Sequence, residues 1–347
     1  MLHLIVGQKH PSFLYVISIT ACLFFGSVLP LLAATDDVRV AELKKAAEKE
    51  GKVVFYTSIA AADSPVFVGR FQKKYPFLKV DLVRLSNMGI LTRVLAEQRA
   101  NKNIVDVVDL KGDVIYGLQK MGALAKYPSP ERGFFADRFK DKEGYWTDVY
   151  LTVHSLAYNT RTVSPSEVPV TYQDLLKPRW KGRIGFNPNN YMWPEAIMQI
   201  MGKEEGLKYL EALARQNPIV RYGGTLNAML TAAGEVEIAL PINDNNVDSL
   251  KKRGAPVDWA KKIKPYWGDL HPIALVAKAP HPNASKLFID FMLSQEGQEM
   301  VAQVGKIPPR TGLTTQTVRS EDVMPIDPTI DKTEYYQKLL RQIFENK

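Results

Sequence analysis

The stretch VRVAELKKAAEKEGKVVFYTS, residues 38–58, holds the change of periodicity on which the fold turns. Val40, Leu43, Ala46 and Ala47 recur along one helix face, and Gly51 follows where a helix ends on a glycine. Residues 53–57 then read as a strand, and Ser58 stands at the turn before a helical pattern through Phe67 and Phe71.

Working outward, the same reading places strands at 80–84, 105–110, 149–157, 183–186, 219–222, 236–240 and 273–277, with helical segments between most of them. This alternation predicts an α/β protein built on largely parallel sheets. Capping turns recur: Ser86 and Asn87 precede Leu91, Val94 and Leu95, and Gly223, Gly224 and Thr225 precede Leu226, Met229 and Leu230. In open parallel sheets, ligands bind beyond the carboxyl ends of the strands, where helix N-termini offer free N–H groups. Every α/β fold has such turns, so each one also reads as a plain N-cap. Segments 127–144, 164–169 and 254–268 are rich in Pro, Gly or charge and read as loops, and no internal repeat or long linker is present.

The first thirty-four residues differ in kind, with Lys9 as their only strong charge and an apolar run over 13–32 that ends in Ala33 and Ala34. They read as an export signal cleaved near Ala34, an uncleaved anchor being the alternative. Cys22, the single cysteine, follows Ile19, Thr20 and Ala21 much as in a lipoprotein processing box; the plainer reading is an ordinary signal-core residue. No disulfide or cysteine-based metal site is then expected. The 347 residues are 46% hydrophobic and 24% charged, enough for a large core and two domains. The net charge of +8 is dispersed among acids, which with export argues against a nucleic-acid partner; it reads as a solvated surface or as a field for an anionic ligand.

Four stretches together resemble the ferric-iron-type branch of the family 1 extracellular solute-binding proteins. They are Leu43 to Ser58; Arg84 through Leu91, Arg93 and Glu97 to Asp106, then Leu118, Gly122 and Leu124; Val153 to Asn159 with Pro178, Trp180, Lys181, Gly182 and Ile184; and Ala279 through His281, Pro282 and Asn283 to Gly297, Pro308 and Arg310. The resemblance implies a type II periplasmic-binding-protein fold: two α/β lobes, two crossover strands near 150–159 and 270–276, and a ligand cleft between the lobes that closes about a hinge. The lobes would be 35–152 plus 273–347, and 153–272. It further implies an extracytoplasmic, periplasmic component of an ABC importer that delivers a small-molecule solute to a membrane permease, as a monomer without a cofactor. Ferric-binding relatives place adjacent tyrosines after the strand matching 236–240, whereas here Pro241, Ile242, Asn243, Asp244, Asn245 and Asn246 follow. The phenolate pair is missing. A small organic or phosphorylated anion is therefore the expected solute, and ferric iron on Tyr150, Tyr191, Tyr222, His154 and His271 the alternative.

The candidate ligand-binding residues are Ser58, Ser86, Asn87, Asn187, Asn190, Thr225, Asn243 and Asp244 as polar contacts, with Tyr191, Trp193 and Tyr222 as aromatic walls. Arg84 and Arg93 are candidates to complete an anion site, although Arg93 shares a helix face with Glu97. His154 and His271, near the crossovers, also read as packed structural histidines. No GxSxG elbow, Walker A loop, HExxH helix or GxGxxG turn is present, so the sequence offers no assembled enzyme site.

Overall fold

A computed structural model describes residues 28–313, 318–330 and 332–345, with side chains from Val38 onward. The export signal expected over 1–34, including Lys9 and Cys22, lies outside these apart from the backbone of 28–34. Among the described residues, no helix is long and apolar enough to cross a membrane.

The chain begins α1 (Val28–Glu50), β1 (Lys52–Thr57), α2 (Ser64–Lys74), β2 (Lys79–Arg84), α3 (Asn87–Arg99), β3 (Val107–Asp109), α4 (Gly112–Lys120) and β4 (Leu124–Ala125). It continues β5 (Trp146–Asn159), β6 (Ile184–Phe186), α5 (Trp193–Met201), α6 (Lys203–Ala214), β7 (Ile219–Val220), α7 (Gly224–Ala233), β8 (Ile238–Asn243), α8 (Asp244–Lys252) and β9 (Val257–Trp259). It closes with β10 (Tyr266–Val276), α9 (Pro282–Leu293), α10 (Gln295–Gln303), β11 (Val323–Pro325) and α11 (Thr333–Phe344). Gly51 joins the first two elements at φ +70°, a value open to glycine at little cost. Its N–H donates to Ala47 O at 2.9 Å, and its carbonyl accepts from Lys79 N at 3.0 Å, so one residue ends a helix and begins strand pairing.

The strand order is β2-β1-β3-β10-β5-β8-β6-β7, with β4 and β11 also on β10 and β9 on β5. Pairing is parallel at β1–β2, β1–β3, β6–β7 and β6–β8. At the centre it is antiparallel: β10 pairs β5 from Trp267↔His154 to Ala274↔Trp146. The far end of β10 pairs β3 and the far end of β5 pairs β8, so each long strand passes from one parallel half into the other. The expected crossovers are these two strands. The expectation of largely parallel sheets holds for the halves and fails at their junction, where two strands must run oppositely to cross twice. Segment 254–268, read as a loop, contains β9 and the start of β10, because its prolines and charges mask short paired runs.

Each half has its own core. In the first, Leu43 and Ala47 of α1 join Phe55, Phe67, Phe71 and Phe288, with Phe288 ring centroids 4.9 Å from both Phe55 and Phe71. The second gathers Trp180, Phe186, Trp193, Leu210 and Leu240 together with Tyr336, Leu340 and Phe344 of α11, and Phe344 stacks on Phe186 at 4.0 Å. That last contact corrects the expected assignment of all of 273–347 to the first lobe. The apolar face of α11 lies on α5 and α6, and β11 pairs Tyr266–Gly268, so the tail returns to the second half.

The His281-Pro282-Asn283 stretch, so distinctive in sequence, is pinned by two acids. Fully buried Asp106 accepts from Val54 N, His281 N and His281 Nδ1, each at 2.8 Å. Glu50 accepts from Asn283 N, Asn283 Nδ2 and Ala284 N, supplying a carboxylate to the first turn of α9. Replacing Asp106 by Ala should cost about 3 kcal/mol or more, because buried donors lose their acceptor. Glu50→Ala should cost about 1 kcal/mol, the worth of one cap. Urea denaturation midpoints of the two variants check the order.

Candidate functional site

Side chains on a strand alternate between faces, so Asp148, Tyr150, Thr152 and His154 share one face of β5. The register places His271, Asp269 and Trp267 of β10 opposite Tyr150, Thr152 and His154. The result is a polar row along the paired crossover strands, at the junction of the halves. Tyr150 stacks on His271 at 4.2 Å, and His154 lies 4.3 Å from the Trp267 ring. His154 Nε2 meets Asp269 Oδ2 at 2.9 Å, Lys111 Nζ lies 3.1 Å from Asp269 Oδ1, and Asn190 Nδ2 meets His154 Nδ1 at 2.6 Å. Thr152 Oγ1 reaches His271 Nε2 at 3.3 Å, and His271 N donates to Asp148 Oδ1 at 2.5 Å.

Two further residues bring charge to this row. Asp109, at the end of β3, accepts from Thr57 Oγ1 at 3.1 Å. Lys306, 7% exposed, lies 4.6 Å above the Tyr150 ring and 3.4 Å from Asp63 Oδ2. Burial pushes Asp109 up to about 8, raises Asp148 well above the usual carboxylate range and moves Asp244 to about 7. Burial would raise Asp269 too, but the Lys111 charge and the hydrogen bond from His154 outweigh it and hold this carboxyl low. Burial lowers His271 to about 3, and burial with nearby acids raises Tyr150. At neutral pH the row therefore presents a protonated Asp109, a neutral imidazole and a phenol, with Asp148 shifted by burial toward its protonated form and one ionised acid already paired. In and beside the row, Ser58 Oγ, Asp109 Oδ2, Asp148 Oδ2 and His271 Nδ1 are buried without a hydrogen-bond partner, whereas Asp269 Oδ1, which also accepts no hydrogen bond, has the Lys111 ammonium 3.1 Å away.

The predicted polar residues divide. Ser58 follows β1, and its N–H donates to Asp109 O at 3.2 Å, which sets it beside the row. Asn87 accepts Lys111 N at 3.0 Å, and Asn190 holds His154, so both touch the network. Asn243 pairs with His154 in the sheet and caps α8 by accepting Asn245 N; Asp244, buried, accepts the same N–H. Thr225 is exposed, with Oγ1 3.4 Å from Asn246 Oδ1, and an added Cβ on Gly224 would lie 2.8 Å from Asn246 Nδ2, so the starts of α7 and α8 adjoin.

Other candidates serve the fold. Ser86 caps α3 through Gly89 N. Asn187 is buried and uses its side chain on Gly223 N, Asn189 N and Pro241 O. Trp193, expected as a cleft wall, is 3% exposed in the second core, since it starts the apolar face of α5. Tyr222 is 51% exposed and donates to Glu345, while Tyr191 donates to Asn189. Arg84 donates to Ile59 O, and Arg93 to Glu97, which also receives Tyr56. Of the five proposed iron donors, Tyr150, His154 and His271 share the row. Among the described residues, no group of three or more His, Cys, Asp or Glu is arranged to hold a metal.

Sequence reasoning missed Asp109, Lys111, Asp148, Thr152, Asp269 and Lys306. A signal for two of them, Asp148 and Thr152, was present: polar residues at 148, 150, 152 and 154 alternate with Val149, Leu151 and Val153. Beside the row, a cavity of about 400 Å³ lies between α4, Met192 and residues 326–330, with Lys111 and Asp269 on its wall. A larger open depression, about 790 Å³, sits on the outer face of the second half between residues 170–176 and α6.

A model of bacterial extracellular solute-binding proteins matches residues 102–325. An uncharacterized protein of Haemophilus influenzae is 23% identical over 303 residues, covering 81% of this chain and 83% of its own. Among solved structures, iron-bound HitA from Pseudomonas aeruginosa superposes with a TM-score of 0.67 at 22% identity, over 84% of this chain and 99% of that one. The periplasmic binding protein AfuA from Actinobacillus pleuropneumoniae, with fructose-6-phosphate bound, gives 0.62 at 22% identity, over 86% and 99%. The fold is that of the two-lobed periplasmic binding proteins.

Because Asp109 titrates near 8 in the fold against an ordinary 3.8, the unfolded chain releases its proton first. Its contribution to stability is complete below about pH 4 and is lost as pH rises to about 8. Asp109→Asn, neutral throughout, should flatten that decline by on the order of 1 kcal/mol per pH unit. Urea midpoints from pH 4 to 8 for both proteins read the difference.

Proposed function

Since the chain belongs to the bacterial extracellular solute-binding proteins, we propose that it captures a small organic or phosphorylated anion between its lobes for an ABC importer. The observation that carries this is the set of four partnerless polar atoms, Ser58 Oγ, Asp109 Oδ2, Asp148 Oδ2 and His271 Nδ1, where the lobes meet. Buried polar groups call for hydrogen-bond partners, which a solute's oxygens can supply. With Asp109 protonated and burial shifting Asp148 the same way, the floor offers O–H donor character rather than two free carboxylates, and Lys306 adds a buried positive charge. Donors and a cation suit a carboxylate or phosphate. Asn243, Thr225 and the adjoining starts of α7 and α8 extend this donor surface on the second lobe.

Capture is reversible, and no bond is broken. Lobe closure presents the loaded protein to a membrane permease outside the cytoplasm. Ferric iron is the second reading, favoured by the bound metal in the HitA structure. Against it, only Tyr150 of the three proposed tyrosine donors lies in the row, while Tyr191 is used on Asn189 and Tyr222 on Glu345, so no pair of phenols faces one point as a hard ferric ion favours.

Thermal unfolding against sugar phosphates, phosphonates, carboxylates, polyamines and ferric citrate tests the reading. A bound solute at a hundred times its Kd adds about 2.7 kcal/mol to the folded state. An organic anion should raise the midpoint and ferric citrate should not. Ser58→Ala should weaken the active solute about tenfold, the worth of one hydrogen bond to a charged group, with the solute-free midpoint unchanged. A shift with ferric citrate and a tyrosinate absorption band would overturn the anion reading.

A further inference from the structure

Five residues form an unbroken chain across the junction. Asn87 at the start of α3 accepts Lys111 N at 3.0 Å; Lys111 Nζ reaches Asp269 at 3.1 Å; Asp269 accepts His154 at 2.9 Å; and His154 meets Asn190 at 2.6 Å. The first two residues belong to the first lobe, Asp269 and His154 to the crossover strands, and Asn190 to the loop before α5 in the second lobe. Asp269 and His154 are buried, at 6% and 8% exposure. We infer that Lys111, Asp269, His154 and Asn190 are positioning residues that lock the two lobes at one closure angle.

The argument is one of cost. A rotation that parts α4 from the loop holding Asn190 must stretch Lys111 from Asp269 or Asn190 from His154. The first leaves a buried carboxylate with only one partner, and breaking a buried pair is far costlier than forming it is favourable. The second leaves His154 Nδ1 without its donor. Intermediate angles lose these links without replacing them, so the network makes closure two-state. It also defines the imidazole: Asn190 donates to Nδ1, so the proton sits on Nε2 and points at Asp269. The charged and titratable groups around this imidazole are Asp269 and His271 of β10 and Lys111 of the first lobe, with Trp267 beneath the ring. The four residues need not touch solute. They set the fraction of molecules already closed when solute arrives, and apparent affinity scales with that fraction.

The inference rests on the reading that the lobes close around a solute, so it is tested first without one. Small-angle scattering of the solute-free protein should show a larger radius of gyration in Asn190→Ala and in Lys111→Met than in the parent. The double variant should be no more open than the more open single, because one broken link already frees the chain. Circular dichroism verifies folding, and Asn190→Ala, at a half-buried loop, decides should Lys111→Met fail to fold. The best solute from the melting panel should then bind Asn190→Ala about tenfold more weakly. Scattering profiles identical across all variants would overturn the lock, as would changes that simply add in the double variant. If scattering changes while no solute in the panel binds, the lock stands and the anion reading fails.

Discussion

The antiparallel pairing of β5 with β10 is the constraint on which the rest of the molecule depends. Each half could close its own parallel sheet, but only these two strands belong to both. Their register puts 148, 150, 152 and 154 on the same face as 267, 269 and 271, so one alignment creates the polar row and buries it. The other face carries Leu151, Val153 and Leu270 into an apolar cluster with Ile242 and Val247. A slip by one residue would exchange the two faces, placing carboxylates in that cluster and leucines at the lobe junction. Pro272, which cannot donate to the ladder, coincides with the one irregularity in the pairing, and there Asp148 receives His271 N.

Electrostatics at the junction follow from burial before they follow from pairing. Of four buried acids, only Asp269 has two basic partners, and it alone stays well ionised. Asp109, Asp148 and Asp244 lack such partners and hold their protons further up the pH scale. Residues of one chemical type thus serve two purposes within a single row, as ion-pair anchor and as hydrogen-bond donor. The difference lies in where Lys111 and His154 sit.

The stretch that most distinguishes this sequence, around His281, lies away from the polar row. Its histidine, proline and asparagine end a turn, begin α9 and tie it to Asp106 and Glu50. These residues hold the scaffold together. A likeness resting on them identifies a scaffold and says little about ligand. The Pro241 to Asn246 segment, where this chain lacks paired tyrosines, lies against the row through Asn243 and His154 and bears more directly on chemistry.

Much of the fold was legible in the sequence because it rests on local periodicity. The helix ending at Gly51, the strands that follow, and the capping turns at Ser86 and Asn243 need only neighbours a few residues away. Ser58, Asn87, Asn190 and Asn243, which the structure places beside the polar row, were legible as turn residues for the same reason. Trp193 and Asn187 were misread because sequence places a residue on a loop without saying which way it faces. Lys111, Asp269 and Lys306 were invisible because their partners lie between 115 and 243 residues away in the chain: Lys111 meets Asp269, Asp269 meets His154 and Lys306 meets Asp63. By itself the sequence determined the two kinds of element, their order and the turns at which a ligand could lie. The tertiary structure alone decided which acids are paired and which stay protonated, because pKa and partnership depend on burial and on charges brought together only by the two crossing strands.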